Sequence, residues 1–140
     1  MRVEIEKGIA SGKVVAPPSK SMAHRMLICA ALARGTSTIC GVSSCDDVLA
    51  TIECLTRLGA RFEYEGDTVK VTGTDLKAAS PEGRLHCRES GSTLRFLIPV
   101  CWLLDKNVML TGEGALMKRP LGVYEALAKE KGVSFHIAMA

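Results

Sequence analysis

The stretch Pro17-Pro18-Ser19-Lys20-Ser21-Met22-Ala23-His24-Arg25 sets the start of the first helix and gives that start its charge. The two prolines disfavour helix before them, and Ser19 is a good N-cap. Apolar residues follow with helical spacing as far as Ala33, and Gly35 is a good terminator. The sequence therefore predicts a helix over residues 22–34.

This helix start has the composition of an anion site. The first N–H groups of a helix lack partners within the helix and carry the positive end of its dipole. Arg25 lies one turn after Ser21, so Lys20, Ser21 and Arg25 can converge on one phosphate or carboxylate. The alternative is an ordinary Ser-capped helix with solvated cations.

Outward from this stretch, segments of strand and helix periodicity alternate along the chain. The turn Glu65-Gly66-Asp67 indicates a hairpin, whereas the other neighbouring strands are separated by helices and suit crossover connections. The class predicted is α/β (α+β). The predicted strands are 2–7, 37–41, 61–65, 68–72, 84–87, 107–111 and 133–137, and the further helices are 46–58, 91–104 and 121–131.

The second half of the chain resembles the first at an offset of about seventy residues, which indicates two copies of one α/β unit. Thr38-Ile39-Cys40-Gly41 corresponds to Met109-Leu110-Thr111-Gly112, and Leu58-Gly59-Ala60-Arg61-Phe62 to Lys131-Gly132-Val133-Ser134-Phe135. After the second copy's last strand there is no partner for a closing hairpin. We therefore expect the chain to be an incomplete portion of a longer protein.

Composition limits the partners that the chain can have. With 140 residues, 47% of them hydrophobic, it is long enough for a folded core, and no apolar run approaches the roughly 20 residues that span a membrane. The net charge of +3 is small and aromatic residues are few, which argues against a nucleic-acid partner and favours a small anionic ligand. The N-terminus lacks the apolar centre of a secretory signal, so a cytoplasmic location is expected.

Cysteine and histidine give no pattern of a metal site. The three histidines are isolated from one another, so no structural metal is expected. The cysteines lie mostly in apolar periodic segments without a CxxC pair, which predicts reduced, buried thiols. They are Cys29, Cys40, Cys45, Cys54, Cys87 and Cys101.

Two later stretches combine glycine, hydroxyl and cationic residues. Arg88-Glu89-Ser90-Gly91-Ser92-Thr93-Leu94-Arg95 is a second helix start at which a glycine permits close approach of a ligand. Gly112-Glu113-Gly114-Ala115-Leu116-Met117-Lys118-Arg119-Pro120 is a glycine-rich loop that delivers two cations just before a helix. A Ser-capped core helix and a solvated loop are the respective alternatives.

Nucleotide cofactors are not predicted. Gly8-Ile9-Ala10-Ser11-Gly12-Lys13-Val14 has one residue too few between its glycines for a P-loop and no Ser or Thr after the lysine. The loop beginning at Gly112 lacks the third glycine of a dinucleotide fingerprint. No nucleophile with a base and an orienting partner can be assigned from the order of residues, so no catalytic residue is predicted in this portion.

Four motifs in this order resemble the EPSP synthase family, the 3-phosphoshikimate 1-carboxyvinyltransferases. They are Pro18-Ser19-Lys20-Ser21-Met22-Ala23-His24-Arg25, Asp46-Asp47, Ser90-Gly91-Ser92-Thr93-Leu94-Arg95-Phe96-Leu97 and Leu116-Met117-Lys118-Arg119-Pro120-Leu121-Gly122. The resemblance implies the enolpyruvyl transferase fold of repeated βαβαββ units in two domains that close over substrates, with about one and two-thirds units in this chain. The implied division is an N-terminal strand and connecting segment at 1–18, a first unit at 19–75 and a truncated second unit at 76–140.

The resemblance also implies transfer of the enolpyruvyl group of phosphoenolpyruvate to the 5-hydroxyl of shikimate 3-phosphate, on the route to chorismate and aromatic amino acids, without a cofactor. By the same resemblance Lys20, Ser21 and Arg25 bind shikimate 3-phosphate, and Lys20, Gly91 and Arg119 bind phosphoenolpyruvate. The acid and base groups belong to the missing C-terminal portion, so the chain alone is expected to be inactive. Two alternatives stay open: a non-catalytic module that binds a small phosphorylated metabolite, and a structural domain with exposed cationic caps.

One departure from the family pattern concerns Arg88-Glu89, where the family commonly has Gly-Asn. Glu89 brings negative charge toward a site for anions and is expected to weaken phosphoenolpyruvate binding unless Arg88, Arg95 or another cation pairs with it. Ser92 keeps the hydroxyl of the usual Thr.

Overall fold

A computed structural model of the chain describes residues 2–76, 79, 83–104 and 106–138. Helices and strands alternate through most of this length, so the predicted mixed α/β (α+β) class is confirmed. The helices are α1 (Lys20–Leu32), α2 (Asp46–Arg57), α3 (Gly91–Cys101) and α4 (Gly122–Lys131), with a short 3-10 helix at Gly114–Lys118; the strands are β1 (Thr36–Ile39), β2 (Arg61–Glu65), β3 (Thr68–Thr72), β4 (Arg84–His86) and β5 (Met109–Thr111).

Helix α1 begins where its cap predicts. Ser19 is the N-cap, and its hydroxyl oxygen accepts a hydrogen bond from the Met22 N–H at 3.3 Å. The helix starts at Lys20, two residues earlier than the apolar pattern indicated, because a cap governs the turn directly after it. Lys20 and Ser21 therefore belong to the first turn itself.

Three strands form one antiparallel sheet in the order β1-β3-β2. The hairpin between β2 and β3 is confirmed, with Glu65 opposite Thr68. Val69 and Val71 of β3 are buried while Lys70 between them is exposed, so one face of the sheet packs on the core and the other meets solvent. Helices α1 and α2 contact this sheet.

The second sheet is a parallel pair, β4 with β5, in which Leu85 lies opposite Leu110. Helix α3 connects the two strands, so the crossover predicted here is confirmed. The order α3, β5, α4 repeats the order α1, β1, α2. The assignment of both halves to βαβαββ units, and the boundaries at residues 18 and 75, stay predictions.

A hydrophobic cluster joins helices α1, α2 and α3 to both sheets. Helix α2 is the centre of this arrangement, since it contacts α1, α3, β2 and β4. Because α1 and α3 also contact each other, each of the three helices packs against the other two. The large apolar side chains with 1% exposure or less include Leu27, Leu55, Leu58, Leu85, Leu97 and Ile98.

Two predicted strands are wrong. Residues 2–7 form no strand, and Val3 and Ile5 remain 70% and 89% exposed. Residues 133–137 form none either, although Phe135 packs edge-on against Trp102 with ring centroids 6.2 Å apart. Alternation of apolar and polar residues favours extended backbone, but a strand also needs a neighbour for its N–H and C=O groups. Neither segment pairs with any strand among the described residues.

The cysteines follow their prediction in part. All six are free thiols, and Cys54, Cys87 and Cys101 are buried, whereas Cys29 and Cys40 are exposed. Burial raises the pKa of the Cys101 thiol to about 12, so this thiol stays protonated at neutral pH.

Candidate functional site

The first two turns of α1 present Lys20, Ser21 and Arg25 on the surface. The Arg25 guanidinium folds back over the preceding turn and donates hydrogen bonds through Nη1 to the carbonyl oxygen of Ser21 at 2.7 Å and to the Ser21 hydroxyl. The predicted proximity of Ser21 and Arg25 is therefore confirmed. A cation, a hydroxyl and the N-terminal N–H groups of one helix share this place, which suits an oxyanion.

Lys20 is held by the start of a different helix. Its Nζ lies 2.7 Å from Oδ2 of Asp47, which is in the first turn of α2. That hydrogen bond, with the negative charge of Asp47, raises the pKa of Lys20. The lysine is thus a permanent cation at neutral pH, and an incoming anion competes with Asp47 for it.

Arg25 also connects α1 to α3. Its guanidinium carbon lies 4.8 Å from the centre of the Phe96 ring, a cation–π contact. Phe96 is in the second turn of α3. The start of α1 and the start of α3 are therefore close in space, although the motifs that form them lie far apart in the sequence.

The start of α3 is built around Gly91. Ser90 is the N-cap and its hydroxyl accepts from the Thr93 N–H at 3.2 Å. A methyl group on Gly91 would lie 2.5 Å from Nη1 of Arg119 and 3.0 Å from Nη1 of Arg95. Two guanidinium groups thus lie directly over the glycine, one from its own helix and one from the segment before α4. Only a residue without a side chain leaves this approach open.

Arg88 and Glu89 take different partners. Arg88 pairs with Asp46 at 3.3 Å and with Glu53, although its φ of 50° is a left-handed conformation uncommon outside glycine. The Glu89 carboxylate instead lies against Gly114, where a Cβ would overlap with it. Arg88 is therefore not the cation that compensates Glu89, and among the described residues no ion pair of Glu89 is present.

Behind the two helix starts lies a chain of buried polar side chains. His24 of α1 and Thr51 of α2 are joined by a contact of 2.7 Å between Nδ1 and Oγ1. The Thr51 hydroxyl contacts the Thr93 hydroxyl of α3 at 2.7 Å, and Thr93 donates to the Ser90 hydroxyl at 2.7 Å. All four residues are at most 2% exposed. One residue from each of three helices is therefore linked to the cap of α3.

Burial lowers the pKa of His24, the negative charge of Asp47 opposes this to a smaller extent, and the cations Lys20 and Arg25 lower the pKa further. The imidazole is therefore neutral at neutral pH. His24 is isolated in the sequence, because Thr51 and Thr93 approach it only through tertiary packing. A signal was present nonetheless, since both threonines interrupt otherwise apolar helix faces.

Residues 2–76, 79, 83–104 and 106–138 lack both a cluster of metal ligands and a membrane-spanning helix. Within these ranges no group of three or more His, Cys, Asp or Glu side chains is arranged to hold a metal ion. No helix there is both long enough and apolar enough to cross a bilayer.

Fold and site together define a protein with two neighbouring helix-start sites rich in cations and hydroxyls, of the kind that binds small anions. A family model for EPSP synthase (3-phosphoshikimate 1-carboxyvinyltransferase) matches residues 6–134. The chain therefore belongs to the EPSP synthase family.

Individual relatives agree. A 3-phosphoshikimate 1-carboxyvinyltransferase of Clostridium beijerinckii is 42% identical over 139 residues, which are 95% of this chain and 32% of that protein. The same-named protein of Clostridium kluyveri is 41% identical over 134 residues, 95% of this chain and 31% of its own length. A solved EPSP synthase of Acinetobacter baumannii superposes with a TM-score of 0.83 at 26% identity, over 91% of this chain and 29% of that one. The chain thus spans about a third of the length of the relatives it matches.

Proposed function

We propose that this chain is the N-terminal part of an enzyme that transfers the enolpyruvyl group of phosphoenolpyruvate to the 5-hydroxyl of shikimate 3-phosphate, with release of phosphate, in the cytoplasm. The observation that carries the proposal is the meeting of two cationic helix starts, joined by the Arg25–Phe96 contact of 4.8 Å. The reaction needs two mutually repelling anions held side by side. Two adjacent anion sites meet that need.

Shikimate 3-phosphate is assigned to the start of α1. Lys20, Ser21 and Arg25 offer an ammonium, a hydroxyl and a guanidinium around helical N–H groups, which together match the oxygens of a phosphate monoester. The pairing of Lys20 with Asp47 supports a switch of partners on binding. Lys20 pairs with Asp47, whose carbonyl oxygen accepts a hydrogen bond from Thr93 of α3, and Lys20 is assigned to both substrates.

Phosphoenolpyruvate is assigned to the start of α3. Arg119 and Arg95 lie over Gly91, and the bidentate donors of arginine suit a carboxylate or a phosphate. Glu89 is exposed and directed at Gly114, which supports a weaker effect on this site than a carboxylate over Gly91 would have.

The chemistry is an addition followed by an elimination. The 5-hydroxyl oxygen bonds to C2 of phosphoenolpyruvate as its own proton leaves, and C3 takes up a proton. The bond from C2 to the phosphate oxygen then breaks, phosphate departs with the electron pair, and C3 loses a proton to restore the double bond. In this portion the cations hold the substrates in register and stabilise their charge. The proton-transfer groups are assigned to the missing C-terminal portion.

The experiment measures the activity of a chimeric enzyme, called the joined enzyme below, in which residues 6–134 replace the matching third of the Clostridium beijerinckii relative. We expect phosphate release that requires both shikimate 3-phosphate and phosphoenolpyruvate, and none from the 140-residue chain alone. Arg25→Ala in the joined enzyme should abolish most of the rate, whereas Arg34→Ala, just beyond the end of α1, should not. A joined enzyme that folds but releases no phosphate contradicts the proposal.

A second measurement addresses the length of the protein. An antibody to this chain should detect in the source cells a product about three times the 15.0 kDa of the chain, since the chain spans 32% of its relative. A stable product of 15.0 kDa would instead favour a non-catalytic module that binds a phosphorylated metabolite. Titration of that product with shikimate 3-phosphate would then separate the module from a structural domain.

A further inference from the structure

The relay His24–Thr51–Thr93–Ser90 runs behind both helix starts and touches neither assigned substrate position. Its three contacts are each 2.7 Å, so each requires a proton between the two atoms. Each hydroxyl has only one proton to donate. Once the donor in one of the three contacts is known, the donor in each of the other two follows.

The donor is known in the contact between Thr93 and Ser90. The Thr93 hydroxyl donates to the Ser90 hydroxyl at 2.7 Å, with the carbonyl oxygen of Asp47 as a second acceptor at 3.2 Å. Since its proton is committed to these acceptors, Thr93 can only accept from Thr51. The Thr51 hydroxyl gives its one proton to Thr93 at 2.7 Å, with the carbonyl oxygen of Asp47 as a second acceptor at 3.4 Å, so it can only accept from His24. The Nδ1 atom of His24 must carry a hydrogen.

The relay also spans the distance between the two sites. His24 is next to Arg25 in α1, Thr51 lies one turn after Asp47 in α2, and Ser90 is the cap next to Gly91 in α3. The residues assigned to ligands are thus neighbours in sequence of the residues in the relay. The relay therefore links the backbone segments that carry the assigned ligand residues.

We propose that His24 is a positioning residue, whose hydrogen is fixed on Nδ1 by the hydroxyls of Thr51 and Thr93, and that this relay fixes the spacing between the two anion sites. The positioning role rests on the proposed function, whereas the tautomer does not. A buried network with every proton assigned has one arrangement, which gives rigidity that apolar packing alone does not.

The tautomer is measured by two-bond ¹H–¹⁵N correlation spectra of the imidazoles in the 140-residue chain, with His24 assigned from its loss in His24→Asn. We expect the Nδ1–H form in the wild type and a shift toward Nε2–H in Thr93→Val, because the Thr51 hydroxyl can then donate to Nδ1 at 2.7 Å, a nearer acceptor than the carbonyl oxygen of Asp47 at 3.4 Å. Thr51→Val is the second variant, should Thr93→Val fail to fold. An Nε2–H tautomer in the wild type overturns the proposal.

The positioning role is tested by the affinity for shikimate 3-phosphate, measured by calorimetric titration of the same variants. A native amide spectrum first shows that each variant is folded. We expect Thr93→Val and His24→Gln to bind at least fivefold more weakly than the wild type, and the double variant Thr51→Val/Thr93→Val to be no worse than either single one. His24→Asn should bind within twofold of the wild type, because an asparagine amide places a donor where Nδ1 lies. Thr56→Val is the matched control, since the Thr56 hydroxyl donates only within α2, to Ile52 at 2.8 Å.

The outcomes separate the two proposals. Equal affinity of folded wild type and Thr93→Val overturns the positioning role and leaves the proposed function intact. No binding by the wild type at millimolar shikimate 3-phosphate overturns the proposed function and the positioning role with it, whatever the tautomer. Failure of His24→Asn to bind better than His24→Gln also overturns the positioning role.

Discussion

The starts of α1 and α3 present similar chemistry but are built in different ways. At α1 the cap, the hydroxyl and both cations come from Ser19 to Arg25, and the Arg25–Ser21 hydrogen bonds lie within one turn. At α3 the cap and glycine are local, while Arg119 arrives from the segment before α4. The residues of the first site all belong to one helix and its cap. The second exists only when the chain between Gly91 and Arg119 has folded.

This difference predicts different responses to change. Substitutions at the α1 start should alter one ligand contact at a time, because the helix holds the others in place. Substitutions at the α3 start should affect a geometry that several segments share. The following predictions refer to the joined enzyme unless stated otherwise.

The largest effect is expected for Arg119→Ala. It removes one of the two guanidinium groups over Gly91 and leaves Arg95, which should weaken phosphoenolpyruvate binding by about 2–3 kcal/mol, or on the order of 50-fold in KM. Lys129→Ala in α4 is the matched control, with the same loss of charge away from Gly91. Equal effects of the two substitutions would mean that net charge, and not the contact over Gly91, determines affinity.

Arg25→Ala should weaken shikimate 3-phosphate binding by about 2 kcal/mol, or roughly 30-fold, since it removes a guanidinium and its contact with Phe96. The effect on phosphoenolpyruvate should be smaller, because Arg119 and Arg95 remain. Kd values for both substrates measure the split. A larger loss for phosphoenolpyruvate than for shikimate 3-phosphate would reverse the assignment of the two sites.

Gly91→Ala should weaken phosphoenolpyruvate binding by about tenfold, or 1.4 kcal/mol. The added methyl meets guanidinium ends, which can move, so the fold should tolerate it while the ligand geometry changes. Gly122→Ala is the control, since its nearest neighbour is Oε2 of Glu125 at 3.9 Å. Thermal unfolding of both variants should stay close to that of the wild type; a marked fall for Gly91→Ala would indicate that steric strain had altered the fold itself.

The stability of the 140-residue chain should fall as pH is lowered below 6.5. The folded pKa of His24 is lowered, so the unfolded chain binds more protons between the folded pKa and the ordinary 6.5. The stabilisation is therefore complete above pH 6.5 and is lost as pH falls through the folded pKa. Urea midpoints against pH should show a shallower decline for His24→Asn. Identical slopes would argue that other groups cause the acid response.

The smallest effect is expected for Glu89→Gln. Its carboxylate is exposed and lies against Gly114, so removing the charge should strengthen phosphoenolpyruvate binding by only about twofold, or 0.4 kcal/mol. Glu65→Gln in the distant hairpin is the control and should have no effect. A tenfold gain would place Glu89 in direct competition with the ligand.

Local patterns in the sequence were sufficient for the helices and most strands. The cap at Ser19, the hairpin turn at Glu65-Gly66-Asp67 and the crossover between β4 and β5 each follow from a few neighbouring residues, because capping, turn conformation and side-chain periodicity are short-range effects. The residues at the start of α1 were found for the same reason. The strands expected at 2–7 and 133–137 were wrong, since pairing depends on a partner elsewhere in space.

The sequence by itself determined the class of fold, the family and the residue types at each helix start, because short motifs are sufficient to predict all three. Only the tertiary structure decided that Asp47 holds Lys20, that Arg25 lies on Phe96, that Arg119 covers Gly91 and that Arg88 pairs with α2. It alone joined His24 to Thr51 and Thr93. These contacts connect residues far apart in the chain, and their geometry is set by how three helices pack, which no local pattern specifies.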